Sequence, residues 1–298
     1  MSKRPKSRSY ERKKRRVAYW FLLPWMIGTV FFFFRPMIES VMYSLGTFSI
    51  TDEGYSVTVT GFSHYIEIFT GDADYIRNIL DSFKNMLLTV PTIVMLSLFF
   101  AILLDRKFRG RTFFRALFFL PVLVGSSALL SMIGGDVVAD NMISAGSVSH
   151  LFQSSFLQSV LRESGVAESV VSSLTALVDS VFSLLWKSGI QILIFLAGLS
   201  GIPDSLYEVA SIEGATKWEC FWKVTFPMLS STLLIGLIYT IVDSFTDNAD
   251  PVMAQIDTLS KQMFIEESQA MAWSYFGLVL IVIVAVYLLV DRHVFYNN

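Results

Sequence analysis

The 298-residue chain has one cysteine, three histidines and a charged fraction of only 16%. The single thiol, Cys220, excludes an intrachain disulfide and reads as a small apolar residue. His64, His150 and His293 lie in three separate segments, so no pair has the spacing of a metal site. No glycine-rich turn runs into Gly-Lys-Ser/Thr, so the chain carries no P-loop, and energy for any pumping has to come from a partner or an ion gradient. No nucleophile with an adjacent base is visible among the scattered serines. The shortage of charge also excludes a soluble globule: 53% of residues are hydrophobic and the mean hydropathy is +0.56, which leaves too little polar surface.

What charge there is falls between apolar runs. Residues 1–16 hold nine lysines and arginines directly ahead of an apolar run, which suits a cytoplasmic arm held by anionic lipid better than a nucleic-acid-binding tail. The run itself is too long for a signal peptide and has no prompt small-x-small cleavage site, so it reads as an uncleaved first span. Six transmembrane helices are expected, at about residues 17–45, 83–104, 113–135, 170–200, 228–245 and 270–290. Pro36 and Pro91 are expected to kink the first two, and the third contains Pro121. With both termini cytoplasmic, seventeen of the 23 basic residues fall inside and three in outside loops; the other three are Arg35, Lys84 and Lys187. The resulting fold class is an all-α integral membrane protein, in which residues 17–298 form one transmembrane domain behind the basic arm.

Two outside segments carry local patterns. Val57, Val59 and the surrounding threonines alternate as a short strand would, within an acidic loop at 46–82. In the serine-rich stretch 136–168, Phe152, Phe156, Leu157, Val160 and Leu161 recur at helical spacing, so either a surface helix capping a pore or a plain solvated loop is expected. Residues 246–268 read as an acidic loop.

One polar stretch does not behave as a connector. Residues 201–227, GIPDSLYEVASIEGATKWECFWKVTFP, read as two short helices. Asp204 or Ser205 is placed to cap the first, with Leu206, Val209 and Ala210 on one face. Gly214 breaks it, because glycine enters left-handed conformations without a Cβ clash. The second restarts at Ala215 or Thr216 and gathers Trp218, Phe221, Trp222 and Thr225 on one face. Pro227 closes the unit.

The spacing Glu208-x-Ala210, Glu213-Gly214-Ala215, Phe221 and Thr225-Phe226-Pro227 resembles the EAA loop of ABC importer permeases, with Val209 where a second alanine is usual and Glu213 where aspartate is usual. Two further stretches, FRALFFLPVLV and LAGLSGIP, resemble the carbohydrate-uptake group. The resemblance implies a type I importer permease with a cytoplasmic EAA helix-turn-helix, in a bacterial cell membrane. It also implies the rest of the machine: a second, homologous permease subunit, two ATPase subunits that bind ATP and magnesium, an extracytoplasmic solute-binding protein and a sugar. The chain itself is expected to hold no cofactor, metal or nucleic acid, and to be no enzyme. Docking would rest on Glu208, Ala210, Glu213, Gly214, Ala215, Phe221 and Pro227.

Ionisable residues inside spans usually face a bundle interior or a cavity. Lys187 and Gln191 share a face of the fourth span, Trp186 lies beside them, and Asp243 lies in the outer part of the fifth. An aromatic ring beside hydrogen-bonding groups suits a sugar, so these four and Asn248 are candidate pathway residues, with Asp247 and Asp250 nearby. The bland alternatives are that Lys187 and Asp243 neutralise each other, or that they touch the second permease. Two other functional classes remain open. An ion-coupled secondary transporter would need inverted repeats and intramembrane carboxylate pairs, and neither is evident. A membrane scaffold would leave the 208–227 pattern unexplained. Within the importer class a polyamine, amino acid or phosphate compound is an alternative cargo.

Overall fold

Two prolines, Pro36 and Pro227, each follow a turn where the helix changes geometry, whereas Pro24 and Pro91 lie inside helices that run on through them. The computed structural model describes residues 8–51, 54–106, 108–124 and 168–292. The first helix, α1 (Arg8–Thr29), passes through a single widened π turn, Val30–Phe34, just before Pro36 and continues as α2 (Arg35–Ser44). Pro36 lacks an N–H and its ring crowds the carbonyl four residues back, so the preceding turn opens and the Arg35 N–H donates to the Val30 carbonyl instead. The same solution recurs before Pro227. There α9 (Lys217–Cys220) runs through the π turn Phe221–Thr225 into α10 (Phe226–Phe245), and the Phe226 N–H donates to the Phe221 carbonyl. Pro227 lies in the first turn of α10, the position it was expected to suit, and the widened turn before it keeps 29 residues, Lys217–Phe245, in one helical run.

The chain divides into two compact units. The first comprises residues 1–76 and 255–276. After α2 come the strands β1 (Gly46–Thr51) and β2 (Gly54–Val59), an antiparallel hairpin in register Gly46 with Val59, which bears out the alternation around Val57. The helix α3 (Ser63–Thr70) and the first turn of α4 (Ala73–Asp105) follow. Tyr75 is fully buried here, and its hydroxyl reaches the Met271 carbonyl at 3.1 Å and the Ser274 hydroxyl at 2.6 Å. The Trp273 indole N–H donates to Ser40 Oγ, which in turn donates to Gln269. Asp72 accepts from the backbone N–H groups of Asp74 and Tyr75, capping α4, and takes a third bond from the Gln255 amide. The 246–268 stretch holds a helix, α11 (Pro251–Lys261), before α12 (Ile265–Asp291).

The second unit comprises residues 77–254 and 277–298. Its core joins Ala101 and Leu104 of α4, Ile192, Phe195, Leu196 and Leu199 of α7 (Gly189–Ser200), Ile202 and Leu229 of α10. Glycine permits this closeness. A Cβ at Gly198, within the LAGL stretch, would meet Thr232 at 2.6 Å, and one at Gly236 would meet the Phe195 ring at 2.4 Å. Small residues at such crossings let helix backbones approach in lipid, where burial itself supplies little drive. Arg115 of α5 (Arg111–Val124) donates to the Leu104 carbonyl at 3.1 Å, placing a cation at the C-terminal end of α4.

Among the described residues, five helical runs are long and apolar enough to cross a membrane, or six if the bent pair Gly189–Ser200 and Asp204–Ile212 counts as one. The second, α4, has 33 residues, about 50 Å of helix against a hydrocarbon core of about 30 Å, so it starts ten residues before the expected boundary at 83. The expected span at 170–200 is α6 (Glu168–Lys187) followed by α7. They meet at Ser188, whose hydroxyl donates to the Leu185 carbonyl at 2.8 Å, a back-bond that bends helices. Of the expected span at 113–135 only α5 is described. Its remainder, the 136–167 part of the serine-rich stretch with its spaced phenylalanines, and the first seven residues of the arm lie outside the described residues. No residue in the apolar window of the first run, Tyr19–Ser44, is buried among the described residues, which leaves this surface for lipid or another protein to cover.

Replacing Gly236 with alanine is expected to cost about 1–3 kcal/mol, because Phe195 has no room to move. Gly277→Ala, in a helix with nothing within 4 Å of the added Cβ, should be neutral or stabilising. Thermal unfolding of the two variants in the same detergent compares them directly.

Candidate functional site

The polar stretch 201–227 folds as the helix-turn-helix its sequence suggests, with one change at the start. α8 (Asp204–Ile212) takes Pro203 as its N-cap, which has no side-chain acceptor; Asp204 instead sits in the first turn, where a negative charge favours the free N–H groups. Gly214 takes φ +76 and makes the break complete. The Ala215 N–H donates to the Ala210 carbonyl at 2.9 Å and the Gly214 N–H to Ser211 at 3.1 Å, the paired bonds of a Schellman motif. No atom lies within 4 Å of a Cβ built at Gly214, so backbone conformation alone demands glycine there.

Thr216 then starts the next helix with a reciprocal cap. The Glu219 N–H donates to Thr216 Oγ1, and the Thr216 N–H donates to the Glu219 carboxylate at 2.9 Å. The Thr-x-x-Glu spacing is the sequence signature of this cap. The two helices are tied by Tyr207, whose hydroxyl lies 3.2 Å from Thr225 Oγ1. Tyr207 also packs against the core of the second unit, and Ile202 and Leu229 are part of it, so both ends of the loop are anchored in that core. The outer surface is left apolar and open: Val209 is 54% exposed, Ile212 85% and Trp218 70%. Glu208 and Glu213 are exposed beside it, and neither takes part in a side-chain hydrogen bond or ion pair among the described residues. Ala210 and Phe221 are half-buried, and Cys220 also is half-buried.

A second polar site lies in the same unit. A cleft of about 170 Å³ is lined by Asn85 and Thr89 of α4, Lys187 at the end of α6, Asp243 and Ser244 of α10, and Asp247 and Asp250 just beyond it. Lys187 Nζ pairs with Asp247, not with Asp243. Gln191 is fully buried and donates to Asp243 Oδ2 at 3.5 Å. Its Oε1 has no hydrogen-bond partner among the described residues. Asp250 accepts from the N–H groups of Val252 and Met253 and so caps α11. Of the candidate pathway residues, Lys187 and Asp243 come together in this cleft, with Gln191 bonded to its wall. Trp186 and Asn248 are not among the lining residues. Asn85 and Thr89 are additions: four residues apart on one helix, they could have been read as a polar stripe in the second span.

Apolar helices in number, glycine-mediated helix crossings and a polar cleft between helices define a multi-pass membrane protein built to move a solute. The chain belongs to the family of binding-protein-dependent transport system inner membrane components, whose profile matches residues 69–294. It is 28% identical over 243 residues to the "Probable ABC transporter permease protein YesP" of Bacillus subtilis, covering 80% of this chain and 73% of that protein. It is 29% identical to the "Multiple sugar-binding transport system permease protein MsmF" of Streptococcus mutans, over 76% of this chain and 75% of that one. It is also 28% identical to the "sn-glycerol-3-phosphate transport system permease protein UgpA" of Escherichia coli O157:H7, over 78% and 76%. A chain in the crystal structure of a bacterial alginate ABC transporter, in complex with an alginate pentasaccharide-bound periplasmic protein, superposes with a TM-score of 0.65 at 18% identity, covering 96% of this chain and 98% of that one. The all-α permease fold expected from sequence is therefore the fold observed. The ABC importer class, with catalysis of ATP hydrolysis outside this chain, follows from the family.

Thr216→Ala should leave the fold intact but remove about 1 kcal/mol from the second loop helix. Amide exchange over Lys217–Cys220 is then expected to rise about fivefold while α10 stays protected.

Proposed function

We propose that this chain is one of two permease subunits of an ATP-driven, binding-protein-dependent importer for a sugar or oligosaccharide, and that residues 201–227 are the element through which a separate ATPase drives it. The observation that carries the reading is the exposed helix-turn-helix. Its shape is fixed by a Schellman glycine, a capping box and the Tyr207–Thr225 contact, yet its apolar face at Val209, Ile212 and Trp218 is left uncovered. A surface so rigid and so apolar is made for a partner. In this reading Glu208 and Glu213 face the ATPase, Gly214 and Ala215 set the turn, and Ala210, Phe221 and Pro227 orient the two helices.

The mechanism is alternating access. ATP closes the two ATPase subunits and draws together the loops of this chain and its homologous partner, which opens the pathway toward the loaded extracytoplasmic binding protein; hydrolysis resets it. The loop and the basic arm are then cytoplasmic, with both termini, and the β1–β2 hairpin is outside. Lys187, Gln191 and Asp243 lie along the sugar's path. Transport of sugars by relatives such as MsmF supports the cargo, while UgpA makes glycerol phosphate the competing one.

Glu208→Lys is expected to lower uptake about tenfold or more while the subunit still assembles in the membrane and the ATPase still hydrolyses ATP. Import at the wild-type rate by that variant would remove the docking assignment. Purification of the native assembly in mild detergent should recover an ATPase, a second permease and a binding protein; recovery of this chain alone would favour an ion-coupled carrier.

A further inference from the structure

The cleft between α4, α6 and α10 carries information on cargo charge. Its lining holds three carboxylates, Asp243, Asp247 and Asp250, against one cation, Lys187. Asp247 is neutralised by the lysine and Asp250 is engaged as a helix cap. Among the described residues Asp243 forms no ion pair, and its side-chain hydrogen bond is the long one from Gln191. Around it the hydrogen-bonding capacity is unspent. Asn85, Thr89 and Ser244 make no side-chain hydrogen bond among the described residues, and the fully buried Gln191 has an acceptor without a donor.

We propose that this cleft is a subsite for an uncharged sugar and that Asp243 excludes anionic ones. The proposal rests on the sugar-importer reading and narrows it. Amide, hydroxyl and carboxylate groups hydrogen-bond sugar hydroxyls, whereas a uronate or phosphate placed here would meet a lining of three carboxylates against one lysine, and like charges brought together oppose binding. A volume of about 170 Å³ is smaller than a complete small-molecule site, so it serves one ring of a chain or one half of a site completed by the second permease. The acidic polysaccharide alginate, cargo of a structural relative, is the kind of solute this lining disfavours.

The test places a thiol in the cleft of the assembled transporter, Thr89→Cys with Cys220→Ser, and compares its reaction with cationic trimethylammonium-ethyl and anionic sulfonato-ethyl methanethiosulfonates. In both cases the thiolate attacks the reagent sulfur, forming a mixed disulfide and releasing methanesulfinate. After correction for the same ratio on a free thiol, the cation should react about tenfold faster or more, and Asp243→Asn should reduce that preference several-fold. A corrected ratio of one or below, or one that Asp243→Asn leaves unchanged, overturns the proposal. Maltotriose should protect the thiol and trigalacturonate should not. Equal protection by trigalacturonate overturns the charge selection while leaving the sugar reading in place. A cation preference with no protection by either sugar overturns both.

Discussion

Inside hydrocarbon every backbone N–H and C=O has to find a partner within the protein, because no water is there to take its place. The chain meets that constraint while carrying prolines at functionally charged points, and the way it does so determines the rest. Before Pro36 and before Pro227 the helix widens by one residue in place of breaking, so the displaced bonds are re-formed five residues apart. The cost is a local change in the direction of side chains; the gain is a helix that stays continuous.

Continuity matters most at the second of these. Lys217–Phe245 carries Trp218 of the loop at one end and Asp243 of the cleft at the other, roughly 35–40 Å apart along one hydrogen-bonded rod. The rod is gripped near its middle by α7, where Gly198 and Gly236 allow contact without a Cβ between the helices. A crossing this close has few alternative arrangements, because interior side chains fit at near-crystalline density.

Much of this was legible in the sequence, for reasons that differ by element. The strand alternation before Val59 and the left-handed position at Gly214 are set by local chemistry, and both appear as expected. The helix Pro251–Lys261 was signalled by Asp250 followed by proline at the first helical position, but the acidic residues on either side of it, Asp247, Asp250, Glu266 and Glu267, made the stretch read as a loop. The partner of Lys187 was not legible. Asp243 and Asp247 stand four residues apart, one helical turn, and only the end of α10 at Phe245 decides which of them the lysine reaches. The unbroken run through Pro227 was equally hidden, since a proline at that position suits a helix start as well as a π turn.

Under the proposed reading the two candidate sites are opposite ends of one lever. A helix pushed at Trp218 cannot absorb the displacement by unfolding within the membrane, because each broken backbone bond there has no solvent to replace it. Nor can it slide freely past α7, since Gly236 lies against the Phe195 ring. The remaining freedom is a rigid tilt or rotation about the Gly198–Gly236 crossing, and such a motion carries Asp243 relative to Lys187 and Gln191 on the other side of the cleft. The ion pair from Lys187 to Asp247 and the long bond from Gln191 to Asp243 are the contacts best placed to yield, one being partly solvated and the other already stretched. Motion begun at the loop would therefore be expressed at the cleft, where the solute's hydroxyl groups compete for the same polar atoms.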